Sequence, residues 1–240
     1  MSMYTESAHL YDAIYLSQGK DYSAEARRID ALARQHQRSD GNNLLDVACG
    51  TGLHCGYLNE FYHAQGIDLD EKMVAVAREK HPEILFQTGD MRDFDLGSQF
   101  DVITCLFSAI GYMQDTSQLQ RAIGNMGKHL RPGGVMLVEP WFTPETWNVG
   151  TVHTLSVNQP DLKIARMNLS ERKGNLSFFT FHFLVGTPQG VEYFSEYHEL
   201  ALFTRDEYLD AFCANDLDVV YDEDGLYGRG LYIGKKASSA

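Results

Sequence analysis

Three acids, Asp46, Asp68 and Asp90, stand 22 residues apart, and the first of them lies in the word LLDVACGTGLH at residues 44–54. A carboxylate has two oxygens with room for several hydrogen bonds, so it accepts a pair of hydroxyls or attracts an amine. A row of such groups suits a ligand carrying both. After Asp46 the chain runs through Ala48, Cys49, Gly50, Thr51 and Gly52. Two glycines around a threonine are more than a turn requires, and their bare backbone lets a ligand approach closely. The interval between the acids matches one strand plus one helix. It predicts three carboxylates side by side along one edge of a parallel sheet.

The elements that must hold them are written in the hydrophobic pattern. Residues 21–37 place Ala24, Ile29, Leu32 and Ala33 near helical spacing with charges between, an amphipathic helix. Buried strands are expected over 44–47, 64–68, 84–88, 100–107 and 135–139, with helices over 54–60, 71–80 and 116–129. Pro82 closes one helix, and an RPGG turn at 131–134 precedes the fifth strand. Apolar strands alternating with helices predict a parallel sheet covered on both faces, with ligands at the carboxyl ends of its strands. From Thr151 the texture changes. Segments 152–157, 162–171, 176–185 and 192–203 are separated by NQPD, KGN and TPQG, which are hairpin signals. An inserted antiparallel sheet of about four strands is expected above the ligand edge. A helix over 205–214 and a hairpin of 219–221 with 231–234 return the chain to the main sheet. The expected division is a main domain, 1–150 with 204–240, and an inserted sheet, 151–203.

The bulk composition narrows the partners. Thirty-three acids against 20 Lys and Arg leave a net charge of −13. Holding a polyanion needs a basic face, so nucleic acid is a poor fit, although a local arginine would still hold a small anion. The start, MSMYTESAHLYDAIY, lacks the basic patch and apolar core of a signal peptide, and no run approaches ~20 apolar residues. A soluble cytoplasmic protein with no membrane partner is expected. Cys49, Cys55, Cys105 and Cys213 form no CxxC pair, and the nine histidines form no HxxxH or HExxH grouping. Neither a disulfide nor a metal site is implied.

Two nucleotide ligands compete for the glycine loop. A dinucleotide fold uses GxGxxG, with a helix N-terminus facing pyrophosphate. Here Gly50, Gly52 and Gly56 give GxGxxxG, and Asp46 is poorly placed for phosphate oxygens. The pattern D-x-A-x-G-x-G through Asp46, Ala48, Gly50 and Gly52 instead fits a zwitterionic amino acid tail, with Asp46 favouring its ammonium through water.

This arrangement resembles the class I S-adenosylmethionine-dependent methyltransferases. The resemblance implies a Rossmann-like α/β fold: a seven-stranded sheet with helices on both faces, here with the inserted antiparallel β layer, and S-adenosylmethionine as cofactor. It gives Asp68 the two ribose hydroxyls, with Leu69 beside it, and gives Asp90 the adenine amino group. The backbone of Met91 would face the ring, and Met73 would pack on it. The longer words LYDAIY, GKDYSAEA, LLDVACGTG, GDMRDF, TCLFSAIGYM, LRPGGVMLVEPWF and GRGLYIG span nearly the whole chain. Together they are similar to the N,N-dimethyltransferases of nucleotide-linked amino sugars, of the desosamine and mycaminose type. That similarity implies two successive methyl transfers to a sugar amine carried on thymidine diphosphate. It also implies that Tyr22 and the backbone around Leu106 help hold the cofactor tail. Tyr15, Ser108, Tyr112, Glu139, Trp141 and Arg229 would face the substrate, with Tyr15 and Tyr112 as the catalytic pair.

One departure bears on mechanism. The family's word is usually IGHM, and this chain has IGYM, with Tyr112 where a histidine is common. An imidazole accepts a proton near neutrality, whereas a phenol with a pKa of ~10 does not. Either no base is needed or the substrate differs. A sugar amine already has a lone pair once its ammonium loses a proton to water, and alignment alone can supply ~7–11 kcal/mol. A hydroxyl nucleophile would demand a base, so the change favours N over O transfer. Another small-molecule N- or O-methyltransferase, or a cofactor-binding interaction protein without catalysis, remain the alternatives. Packing roles also stay open for Tyr15, four residues after Tyr11, and for Tyr112, Trp141 and Glu139. His54, at a helix start, is expected to be structural. Arg166, Arg172 and Lys173 could meet a diphosphate or solvent, and Arg229, between two glycines, is the better anion ligand. Phe178, Phe179, Phe181 and Phe183 are expected as sheet core, or as the interface of a homodimer.

Overall fold

The computed structural model describes residues 6–226 and 228–238. The two ends of the expected main domain, 1–5 and 239–240, lie outside the described residues. Five strands, β1 (Asn43–Val47), β2 (His63–Asp68), β3 (Leu85–Thr88), β4 (Phe100–Cys105) and β5 (Leu130–Val138), pair in parallel. Farther along the chain, β11 (Leu217–Asp222) and β12 (Leu231–Lys236) pair antiparallel and join β5, completing a seven-stranded sheet in the order β11-β12-β5-β4-β1-β2-β3. Every residue of β4 is buried, because helices cover both faces of the sheet. Alternate residues serve opposite faces. Leu44, Val135 and Leu137 pack on Ile29 and Leu32 of α2 (Tyr22–His36). Leu45, Met136 and Val138 share a cluster with Ile123 and Met126 of α5 (Thr116–His129) and with Tyr208 and Phe212 of α6 (Arg205–Cys213). Each such side chain contributes about 1.5–3 kcal/mol on burial.

Local signals fix where the helices begin. Asp21, Asp70 and Asp115 accept first-turn amides of α2, α4 (Glu71–Lys80) and α5, and Thr204 forms a reciprocal cap with Glu207 at α6. The strand β5 starts at Leu130, ahead of the expected 135. The RPGG residues are drawn into it, and its pairing with β4 slips between Phe100 and Val102. Strand β1 has β2 on one side and β4 on the other, so the order of strands reverses there. A crevice opens outside the carboxyl ends of such a pair.

The second sheet holds five strands rather than about four: β6 (Val152–Asn158), β7 (Lys163–Leu169), β8 (Glu171–Lys173), β9 (Leu176–Thr187) and β10 (Gly190–Ala201). The order is β10-β9-β7-β6, with β8 on β9. The expected strand over 162–171 is cut at Ser170. Its amide bonds the Thr151 carbonyl at 2.9 Å and its own carbonyl takes the Gly150 amide at 2.8 Å, just beyond the last β6–β7 pair, Val152 with Leu169. Leu155, Val157, Ile164, Phe183 and Val185 form one inward face, packed on Leu10 and Ile14. Ile14 belongs to helix α1 (Tyr11–Ser17), an element the sequence reading anticipated only as a Tyr11–Tyr15 spacing. Glu196 of β10 accepts the amides of Glu6 and Ser7 at 3.0 Å each and the Ser7 hydroxyl at 2.6 Å. On the other side, Asp12 of α1 accepts the Thr51 hydroxyl at 2.5 Å and pairs with Lys80 of α4. The α1 segment thus fastens the second sheet to the glycine loop. Among the described residues, no helix is long and apolar enough to cross a membrane.

Candidate active site

The three acids form a staircase and not a level row. Asp46 pairs with Gly66 and Asp68 with Thr88, so one step across the sheet is 20 residues, while the acids repeat every 22. Each acid therefore stands two residues, about 6.6 Å, farther along than the one before. Asp46, the deepest, is 1% exposed. It accepts the Thr104 hydroxyl at 2.7 Å and the Cys55 thiol at 3.6 Å, and burial pushes its carboxyl above the usual range. It does not line the cleft, so the expected row on the rim is corrected to Asp68 and Asp90, with Asp46 beneath them.

The cleft, of about 1490 Å³, lies outside the carboxyl ends of β1, β2 and β4, with α1 and the second sheet around it. Ala48, Gly50, Asp68, Leu69, Met73, Asp90, Met91 and Leu106 all reach its wall. At Gly50, φ is +56° and an added Cβ would meet nothing within 4 Å, so this backbone is bare toward the open space. The Gly50 amide donates to Asp68 Oδ2 at 2.8 Å and the Asp70 amide to Oδ1 at 2.8 Å. Burial raises the Asp68 carboxyl to about 6, against those two donors, which favour the charged form. Asp90 is held differently. Arg92 grips both its oxygens at 2.5–3.1 Å and keeps its carboxyl below the usual range.

Two expected cofactor contacts lie elsewhere. Gly52, φ +78°, has its α-carbon against Phe86: an added Cβ would stand 2.8 Å from the ring, so this glycine serves packing under the loop and not the cleft. Tyr22 is buried beside His54, ring centres 4.7 Å apart, and also stays off the cleft wall. Its neighbours form a buried charged group. Lys20 and His54 both bind Glu25, at 2.8 and 2.7 Å. Burial alone would raise the Glu25 carboxyl, but the bonds from His54 and Lys20 outweigh it and hold it low. His54 has a structural partner, as its helix-start position suggested.

The wall of the same cleft also includes Tyr15, Tyr112, Trp141 and Arg229. Ser108 and Glu139, expected beside them, do not line it. They hold the turn after β4, where Phe107 and Ser108 both adopt left-handed backbone, φ +52° and +62°. Such residues cost of order 1–3 kcal/mol each and persist only where the surroundings over-determine them. Glu139 Oε2 takes the Phe107 amide at 2.6 Å, and the Ser108 hydroxyl donates to the Pro140 carbonyl at 2.7 Å while accepting from Arg229 Nη1 at 2.9 Å. The other Glu139 oxygen is buried without a hydrogen-bond partner among the described residues, and burial raises its carboxyl. Arg229 is thereby aimed over the rings of Trp141 and Phe142, at 5.3 and 4.9 Å. Trp141 also donates to the Ser177 hydroxyl at 2.9 Å, so it anchors the insertion and lines the cleft at once.

Among the wall residues, Tyr11, Phe107 and His198 escaped the sequence reading. Tyr11 and Phe107 pack with Tyr15, the latter edge-on at 4.7 Å. Arg166 lies in the cleft over the Phe181 ring at 4.0 Å, whereas Arg172 bonds the Pro144 and Gly174 carbonyls. His198 of β10 is also there, 1% exposed, with Nδ1 2.9 Å from the Tyr112 hydroxyl. Its signal was the alternation of β10, which turns Glu196, His198 and Leu200 to one face.

A sheet of this order, with a glycine loop after its central strand and an acid ending the next, defines a class I S-adenosylmethionine-dependent methyltransferase. A family model described as a methyltransferase domain matches residues 44–134. The chain is 42% identical over 234 residues to the dTDP-3-amino-3,4,6-trideoxy-alpha-D-glucopyranose N,N-dimethyltransferase of Streptomyces venezuelae, covering 97% of this chain and 98% of that one. Its structure superposes on the crystal structure of Streptomyces venezuelae DesVI with a TM-score of 0.92 at 41% identity, over 97% and 99% of the two chains. It superposes on S-adenosylmethionine-bound CalS10, an amino pentose methyltransferase from Micromonospora echinaspora, with 0.86 at 37%, over 95% and 97%. The chain belongs to the family of nucleotide-linked amino sugar N,N-dimethyltransferases, and its cofactor is S-adenosylmethionine.

The two loop glycines should separate by stability. Gly52→Ala is expected to cost about 1–3 kcal/mol for the clash with Phe86, beyond the strain of its positive φ. Gly50→Ala, with open space around it, should cost only about 1 kcal/mol for backbone strain. Urea denaturation of both variants measures the order; equal losses would contradict the assignment of Gly52 to packing.

Proposed function

We propose that this chain transfers two methyl groups in succession to the amine of a dTDP-linked amino deoxysugar. The observation that carries the reading is one cleft whose wall holds Gly50, Asp68 and Asp90 together with aromatic rings and the guanidinium groups of Arg166 and Arg229. When bound, S-adenosylmethionine supplies a methyl group on a positively charged sulfur, open to in-line attack by a nitrogen lone pair. Asp68 has two oxygens already oriented by backbone amides, and their remaining lone pairs suit the two ribose hydroxyls. Asp90, steadied by Arg92, suits the adenine amino group, with Met73, Leu69 and Met91 around the ring. Bare backbone at Gly50 and Ala48 leaves room for the methionine portion. Tyr22, Asp46 and Gly52 act from beneath by holding that loop.

At the substrate end, Arg229 offers a planar guanidinium for a diphosphate, and Ser108 aims it. Trp141, Tyr15 and Phe107 supply flat apolar surface for a sugar or base. Tyr15 and Tyr112 flank the amine, and their contribution is orientation and exclusion of water, which a neutral amine nucleophile needs more than a base. Both reactants carry charges that keep them from crossing a membrane unaided, which supports a cytoplasmic location. The outer face of the second sheet exposes Leu184, Val191, Tyr193 and Tyr197, and supports a homodimer through that sheet.

Incubation with methyl-labelled cofactor and a panel of dTDP-amino sugars is expected to give products one and two methyl groups heavier. Methylation of a free amine or a hydroxyl with none of the sugars would overturn the substrate reading. Cofactor affinity should be level above neutrality and fall by up to tenfold per pH unit below about 6, because protonated Asp68 no longer accepts from both hydroxyls. Asp68→Ala should weaken binding by about 1.5–3 kcal/mol per hydrogen bond lost and remove the slope, as read by calorimetry. Light scattering at twice the 27.1 kDa chain mass is the expected signature of the dimer.

A further inference from the structure

We propose that His198 is a positioning residue for methyl transfer: its Nδ1 accepts a hydrogen bond from the Tyr112 hydroxyl and so leaves the phenolic oxygen to act as an acceptor for the substrate amine. The inference rests on the amine substrate argued above and adds a residue from the inserted sheet to that site. Tyr112 ends the short turn Ala109–Tyr112 after β4, and His198 lies on β10, 86 residues farther along the chain. Both reach the cleft wall, and Tyr112 Oη stands 2.9 Å from His198 Nδ1. The imidazole is clamped by the rings of Phe179, stacked at 5.5 Å, and Phe181, at 5.0 Å.

The direction of the bond follows from the chemistry of the pair. Burial, with the nearby Arg166, lowers the His198 pKa to about 4, so the ring is neutral at working pH and has one donor and one acceptor nitrogen. A phenol with a pKa of about 10 is a far better proton donor than a neutral imidazole N–H, and an imidazole nitrogen is the better acceptor. The bond therefore runs from Tyr112 to Nδ1, and the imidazole proton sits on Nε2. A phenol has one proton. Once that proton is committed to His198, the oxygen meets the substrate with lone pairs only, which select an N–H. A primary amine and its monomethyl product each keep an N–H for this contact while the nitrogen lone pair remains free to attack. The neutral dimethyl product has none, so the contact that orients the nucleophile is lost when the second transfer is complete. The position where the family commonly places a histidine is thus served here by a tyrosine with a histidine behind it.

Imidazole nitrogen NMR on histidine-labelled protein, without any substrate, should show His198 with Nδ1 unprotonated and responsive to Tyr112→Phe. A proton on Nδ1 would overturn the proposal whatever the enzyme methylates. With a dTDP-amino sugar that the wild type dimethylates, His198→Leu should lower kcat about tenfold at a KM within about twofold, because both transfers use the contact. His198→Asn, whose side-chain oxygen falls near the Nδ1 position, should recover most of the rate. The double variant with Tyr112→Phe should be no slower than Tyr112→Phe alone, because the pair acts as one unit. Losses that multiply, or an unchanged kcat in His198→Leu, would refute the role. A wild type that methylates no amino sugar would refute the substrate reading instead, and the NMR result would still decide the bond direction.

Discussion

The hydrogen bond from the Gly50 amide to Asp68 joins the ends of the neighbouring strands β1 and β2, beside the β1–β4 crevice where the strand order reverses. Much of the cofactor end depends on it. The other Asp68 oxygen takes the amide of Asp70, and Asp70 in turn caps α4. One carboxylate therefore sets the glycine loop after β1, the end of β2 and the entry of the next helix. Desolvation works against its charge, and the two amides work for it. The result is an acid poised close to neutrality at the place where a ligand with two hydroxyls would supply further donors.

The substrate end is built by a different means. The chain after β4 is forced through two consecutive left-handed residues, and Glu139 and the Pro140 carbonyl hold it there. That turn presents Phe107 to Tyr15, leads into Tyr112, and gives Arg229 a fixed acceptor. The second sheet then closes the space with one face. Phe179, Phe181, Arg166 and His198 look into the cleft, while Phe178 lies on the other side against Tyr197.

Much of the architecture is legible in the sequence, because burial on both faces writes parallel strands as apolar runs and turns as NQPD, KGN and TPQG. Less legible is what depends on register. The equal spacing of Asp46, Asp68 and Asp90 reads as alignment, yet the sheet advances by 20 residues per step, and the difference sinks Asp46 out of reach. Ser108 and Glu139 carry the right chemistry for a substrate contact, but the local backbone strain that employs them leaves no mark in composition. His198 is far from Tyr112 in sequence, and only the pairing of β9 with β10 and the docking of that sheet bring them together. The family's motifs, by contrast, located the wall residues Asp68, Leu69, Met73, Asp90 and Met91, since those lie on the ends of regular elements where spacing determines position.

Lys20, Glu25 and His54 are each no more than 7% exposed and are bonded to one another under the loop. Losing one member of such a buried group unbalances the others, at a cost of about 3–5 kcal/mol. A change at any one of the three therefore leaves a buried charge or hydrogen-bonding group uncompensated. The trio thus couples the seating of α2 to that of the helix that follows the glycine loop.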